Sequence, residues 1–312
     1  MIRTMMVNIF LILWILKNKS ALKQKKHYRI IMEDRYVVLP SLVAALFFRI
    51  KLTSRISDWG REYVLSFPHT SPLVSVLFYL YGLIYQTFVL KASDRIIVPS
   101  RYIADKISLE NQYRVFTFPY CLKIQNSDLI ERREDKLFED VQHDIYCLLV
   151  GNFNYPPNKE AARYVIETLS KELYLRDKKI KLVIVGPGVI TSSSEKIPDN
   201  VSILGEVVNL FEVYKRCQIG INPSLTMGGL SVKIVEYLVN GLFVVSTTQS
   251  AIGIKQTTRL ISSDRVDFHR NIILLANKIR SRDSVNNMNG LKQIIDYYTI
   301  DNYIGSINDF LS

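Results

Sequence analysis

The sequence predicts an α/β fold built as two doubly wound, parallel-sheet domains. Three observations predict it. Short apolar runs alternate with amphipathic stretches of helix length along most of the chain, the pattern that a parallel sheet with covering helices imposes. The 312 residues suit two domains of about 100–200 residues each, and 48% hydrophobic residues is enough for two buried cores. Glycine divides the chain: of the 13, only Gly60 and Gly82 precede Gly151. The charged stretch from Asp128 to Asp144 reads as a polar connector, which puts the boundary at 140 and gives domains 1–140 and 141–312.

In the first half, His27 to Met32 reads as a strand leading to Glu33 and Asp34. Ser41 to Ile50 is apolar and helical. Lys51 to Ser57 alternates as a short strand. Pro72 to Lys91 is helical, Asp94 to Pro99 is a buried strand, and Ser100 caps a helix through Ile107. Val115 to Phe118 is a further strand.

The second half is plainer. Ile145 to Val150 is a continuous apolar run, as a strand buried on both faces requires. Asn158 to Ser170 is an amphipathic helix behind the Pro156-Pro157 turn. Ile180 to Val185 is the next strand, ending in Gly186-Pro187-Gly188. Val201 to Leu204 is a strand, Leu210 to Cys217 a short helix and Ile219 to Asn222 a strand. Ser231 to Val239 is a helix stopped by Asn240-Gly241, and Phe243 to Ser246 is a strand. Such alternation implies a Rossmann-like sheet. The tail from Tyr297 to Leu311 has helical spacing and is expected to fold back onto the first domain.

The net charge of +11 draws the chain to anions. Nucleic acid is not the expected partner. The basic residues are scattered, the densest run holds five lysines between Lys17 and Lys26, and there is no zinc-finger spacing, RNP motif or basic zipper. Cys121, Cys147 and Cys217 are far apart and odd in number, so they read as buried reduced thiols of a cytoplasmic protein. The apolar runs Met6 to Leu16 and Pro72 to Leu90 are read as core or membrane-surface helices; the first is too short to span a bilayer, and the second carries Gln86. Together with the charge they suggest peripheral attachment to an anionic inner membrane face.

Ligands of an open parallel sheet sit beyond the carboxyl ends of its strands. Three segments lie there: Gly151 to Asn154, Gly186 to Gly188, and Thr226 to Glu236. In the third, Gly228 and Gly229 let backbone approach a ligand, and the helix starting near Leu230 or Ser231 points unpaired N–H groups at that loop, an arrangement suited to a diphosphate. Lys233 lies in the first helical turn. Glu236, three residues on and on the same face, suits neutral hydroxyls such as a ribose diol. On spacing alone the plainer reading, a glycine-rich turn with an exposed Lys-Glu pair, comes first.

Further matches accumulate around it: Asn200-Val201, Gly205-Glu206-Val207, Cys217 to Pro223, Gly229 to Glu236, and Gly241 with Val244 to Thr247. With Val150 to Asn158 and Asp94 to Ser100, this set resembles the retaining glycosyltransferases of family 4 (glycosyl transferases group 1). The resemblance implies a GT-B fold with a cleft between two Rossmann-like domains. The first of these is expected to be trimmed at its start, because no glycine precedes Gly60. It implies that Glu236 binds the donor ribose. The amides of Gly228, Gly229, Leu230, Ser231 and Val232, with Lys233, hold the diphosphate.

Where many members carry a basic residue after the first strand of this domain, Asn152 stands here. Phosphate charge then rests on Lys233, with Lys159 either a helper or an exposed helix lysine. The place of a second family glutamate is taken by Gly228. Near the site of a frequent first-domain histidine lies Asp58, which either orients an acceptor hydroxyl or is an exposed loop residue.

The implied reaction moves a sugar from a nucleotide diphosphate sugar to an acceptor hydroxyl, lipid-linked or on protein, with retention. No cofactor is expected, and no Asp-x-Asp metal pair occurs. The alternative is a non-catalytic, nucleotide-sugar-binding partner subunit. A nicotinamide dehydrogenase is disfavoured by the lack of G-x-G-x-x-G after a first strand.

Overall fold

The computed structural model describes residues 17, 29–33, 51–57, 76, 80, 87–107, 109–121, 143–188, 197–225, 230–281 and 288–311. The helices expected at 6–16 and 41–50, most of the one at 72–91, and the connector up to residue 142 fall outside these residues. The chain divides mainly into two compact units, Met1–Pro119 with Tyr303–Ser312, and Tyr120–Met227 with Ser231–Asn302. The boundary expected at 140 lies outside the described residues.

The first unit holds a parallel sheet in the order β1 (Arg29–Glu33), β2 (Lys51–Arg55), β3 (Arg95–Val98) and β4 (Val115–Thr117). Side-chain bonds brace its middle: Asp94 accepts from the Leu52 amide at 2.7 Å, and the Ser54 and Ser93 hydroxyls meet at 2.6 Å. Ile56, Ile96, Val98, Ile103 and Ile107 form its core. Ser100 caps α1 (Arg101–Ala104) as expected. The helix is shorter than the sequence suggests, because the Gln112 amide donates to the carbonyls of Ala104 and Ile107, at 2.6 and 2.8 Å, and takes over its end.

The second unit is a six-stranded parallel sheet. Its strands are β5 (Ile145–Val150), β6 (Ile180–Val185), β7 (Val201–Gly205), β8 (Ile219–Asn222), β9 (Phe243–Thr247) and β10 (Leu260–Ser263). In space they run β7-β6-β5-β8-β9-β10, the doubly wound Rossmann order. The direction of winding reverses between β5 and β8. β5, β6 and β8 have the bounds the sequence predicts, because strands covered on both faces are mostly hydrophobic; Lys181 in β6 and Asn222 at the end of β8 are the polar exceptions.

After β5 comes α2 (Pro156–Tyr164), opened by the two prolines at its first turn, where no N–H is needed. It continues through a π turn at Val165–Leu169 into α3 (Ser170–Arg176). Asn200 is buried and donates to the Ser170 carbonyl at 2.9 Å, which accounts for an asparagine just before β7. α4 (Leu210–Arg216) is capped by Asn209. α5 (Val232–Val239) follows β8.

Beyond β9 the sequence reading assigns no element before the tail, whereas the structure adds β10, α6 (Phe268–Arg280) and α7 (Met288–Tyr298). α7 packs along α5. At the amino edge of the sheet, Arg280 bonds Asp144 at 2.7 Å and Asp177 at 2.6 Å.

The tail forms α8 (Asp301–Leu311), and residues 303–312 belong to the first unit, as expected. Phe310 stacks on Phe116 at 5.0 Å under the Arg95 guanidinium, and Tyr303 meets Phe118 edge-on at 5.5 Å.

Candidate functional site

The carboxyl ends of β5, β6 and β8 bring together the segments that the sequence singles out. Gly220 allows α5 to lie close on β8, since a Cβ there would fall on the Tyr237 ring. The Tyr237 hydroxyl in turn accepts from the Val150 amide at 2.8 Å, which ties α5 to the end of β5. The start of α5 therefore sits at the β5/β8 switch point, where this sheet type receives ligands.

That start is poised for an anion. The amides of Ile234 and Val235 bond back to the Ser231 carbonyl. The Ser231 side chain makes no capping bond and instead accepts from Asn222 at 3.1 Å. The first-turn amides of Val232 and Lys233 thus point out of the helix end. Leu230 is buried, and Val232 is exposed. Gly228 and Gly229 lie outside the described residues, as does Asp58.

Lys233 reaches across the switch point. Its ammonium donates to Asn158 Oδ1 at 2.9 Å. Burial pulls its pKa down to about 8, against the opposing pull of Glu236. Glu236 accepts from the Tyr214 hydroxyl of α4 at 3.1 Å through one oxygen; the other has no partner among the described residues. Burial raises the Glu236 pKa, opposed by the Tyr214 bond and by Lys233. The Tyr214 hydroxyl is itself pushed up by burial and by the Glu236 charge. An ammonium and a carboxylate, one turn apart and both partly enclosed, can hold an anion and a hydroxyl pair side by side.

The loop after β5 forms the opposite wall. Asn152 is exposed; its side chain accepts from the Asn154 amide at 3.0 Å and its carbonyl accepts from the Asn158 amide group at 3.0 Å. Lys159 stands exposed on α2. Gly186, with φ +135°, abuts the carbonyl of Gly151, and the Pro187 carbonyl accepts from Phe153 at 2.8 Å. Gly186 thus closes the β6 loop onto the β5 loop.

Three groups around the site have no assigned role in the sequence reading. Asn158 follows the Pro156-Pro157 turn, but its partner is 75 positions away. Tyr214 lies within α4. Arg265 makes a two-pronged pair with Glu160, both bonds at 2.6 Å, stacks over Tyr164 and donates to the Pro223 carbonyl at 2.6 Å. It joins α2 to the loop that follows β8. Thr247 and Ser250 hold the next carbonyl, that of Ser224. No group of His, Cys, Asp and Glu suited to a metal ion occurs among the described residues.

Residues 144–278 match the family model described as Glycosyl transferases group 1. The solved structure of Anabaena Alr3699/HepE in complex with UDP superposes with a TM-score of 0.68 at 10% identity, over 95% of this chain and 81% of that one. The chain has the GT-B glycosyltransferase fold. Two other GT-B neighbours agree. Sucrose-phosphate synthase from Thermosynechococcus elongatus has a TM-score of 0.67 at 14% identity, covering 93% of this chain and 74% of that one. A UDP-forming α,α-trehalose-phosphate synthase from Burkholderia xenovorans has a TM-score of 0.66 at 10% identity, covering 95% and 77%. No curated protein sequence matches the chain. The matched segment contains β5 to β10 and every described residue of the candidate site.

Proposed function

We propose that the protein transfers a sugar from a nucleoside diphosphate sugar to an acceptor hydroxyl, with retention of configuration and without a metal ion. The observation that carries this reading is the pairing of Lys233 and Glu236 on one face of α5, at the switch point of a sheet that matches a glycosyltransferase family. In the proposed complex the diphosphate lies against the open amides of α5 and the Lys233 ammonium. The ribose diol donates to Glu236, whose geometry Tyr214 fixes. The loops at Asn152 and Gly186 border the donor, Lys159 adds positive charge at the rim, and the amides of Gly228 and Gly229 are assigned to the diphosphate with those of α5. UDP in the Anabaena neighbour makes a uridine donor the first to test.

Negative charge grows on the leaving diphosphate as the glycosidic bond breaks, and the α5 amides and Lys233 stabilise it there. The departing phosphate oxygen then takes the proton of the attacking hydroxyl on the same face, which is how retention arises without a strong protein base. Asp58 orients the acceptor in this proposal. The net charge of +11 favours an acceptor at an anionic membrane surface, although no described helix is long and apolar enough to cross one.

The test is a thermal-shift and calorimetric screen of UDP-, GDP- and ADP-sugars, repeated on Glu236→Ala. One nucleotide class should bind, and the variant should bind it about 10- to 100-fold more weakly while remaining folded, the worth of a charge-assisted bond pair. Undiminished affinity in Glu236→Ala removes the donor assignment.

A further inference from the structure

We propose that Asn158 is a positioning residue of the donor site: its side-chain amide holds the Lys233 ammonium where that ammonium meets the donor diphosphate. The inference rests on the donor reading above. It starts from the two ends of one amide. Asn158 Oδ1 accepts from Lys233 Nζ at 2.9 Å, and Nδ2 donates to the Asn152 carbonyl at 3.0 Å. A flipped amide would set NH₂ against ammonium and oxygen against oxygen, so only one orientation satisfies both neighbours. The amide is also confined: a Cβ on Gly151 would stand 3.2 Å from its Cγ. Asn158 is on α2, after β5, and Lys233 is on α5, after β8. The bond therefore spans the switch point and fixes the ammonium relative to both loops.

The choice of a neutral acceptor has a chemical consequence. A carboxylate at 158 would hold Lys233 equally well but would cancel its charge and repel phosphate. An apolar side chain would leave a buried ammonium unpaired, which favours loss of its proton. An asparagine secures the cation and leaves its charge for an incoming anion. The other titratable groups around Lys233 do not replace it. Glu236 lies one turn along α5 and already accepts from Tyr214 of α4. On α2, Glu160 is paired with Arg265, and Lys159 is exposed.

The isosteric pair Asn158→Asp and Asn158→Leu separates this role from a structural one. Lys233 is titrated by NMR in lysine-labelled full chain, its signal assigned with Lys233→Arg. The affinity for UDP, GDP and ADP is measured by calorimetry on either side of the wild-type midpoint of about 8. Asn158→Asp should raise the Lys233 midpoint and Asn158→Leu should lower it. Both should weaken binding of the preferred diphosphate about tenfold, with the alkaline fall in affinity moved up in the first and down in the second. A merely structural contact would leave the diphosphate affinity and its alkaline fall unchanged even where the Lys233 titration moves.

If Asn158→Leu does not fold, Asn158→Asp carries the test alone. Wild-type affinity in a folded variant, or an unmoved Lys233 titration, overturns the proposal while leaving the donor reading intact. A wild-type chain that binds none of the three diphosphates overturns the donor reading and this proposal with it.

Discussion

Burial holds the Lys233 pKa at about 8, below the ordinary lysine value of 10.5, so the folded chain carries this charge against a desolvation cost at neutral pH. Between the two values the unfolded lysine still binds a proton that the folded one has released, and stability rises with pH there. Lys233→Met should therefore stabilise the second unit by about 1–2 kcal/mol near neutral pH and flatten that rise; urea unfolding followed across the alkaline range checks it. The same residue should be indispensable in turnover. Lys233→Ala should lower kcat about 100- to 1,000-fold, and Lys233→Arg should rescue only in part, since a planar guanidinium is a poor replacement for a compact ammonium in a tight turn. A folded Lys233→Ala chain with wild-type kcat would exclude a leaving-group role. Lys233 and Glu236 could be picked out in the sequence because they share one helical face, a relation that spacing encodes. Asn158, Tyr214 and Arg265 could not, since their partners are 75, 22 and 105 positions away, on elements that only the folded sheet brings together.

At the scale of elements, the sequence pattern works where burial is symmetrical. β5 is an unbroken apolar run, β6 is interrupted only by the half-buried Lys181, and β8 is buried throughout although it ends in Asn222. β10 is short and partly exposed, with two apolar residues in four, and leaves no comparable trace. The helix expected at 158–170 continues to Arg176 because Ser170, buried and bonded by Asn200, does not end it. The seating of α5 on β8 is the element contact on which the site depends most. Gly220→Ala would force a methyl group into the Tyr237 ring. It should cost about 1–3 kcal/mol in overpacking. It should also weaken nucleotide binding in the folded fraction, because Lys233 and Glu236 move with the helix. Denaturant melts paired with calorimetry distinguish the two losses; a variant with normal stability and affinity would show that α5 tolerates a wider gap.

For the whole molecule, the excess of 40 Lys and Arg over 29 Asp and Glu predicts adsorption to anionic vesicles at low salt. Raising salt shortens the Debye length from about 10 Å at 0.1 M to about 3 Å at 1 M, so the electrostatic share of binding should be released. Cosedimentation with phosphatidylserine vesicles measures this, and indifference to such vesicles at low salt would favour a soluble acceptor. The chain's path has a different consequence. Residues 303–312 complete the first unit, where Phe310 stacks on Phe116 and Tyr303 meets Phe118 edge-on. During synthesis the residues of the first sheet emerge well before this helix, and the second unit emerges in full between them. The usual order, in which an amino-terminal domain finishes folding first, is unavailable to this chain: Phe116 and Phe118 must wait, uncovered, while some 180 residues are translated (roughly 10–40 s at ribosomal rates). The first unit is the slower to mature although it is the first to be made, and it is where nascent-chain chaperones would be needed.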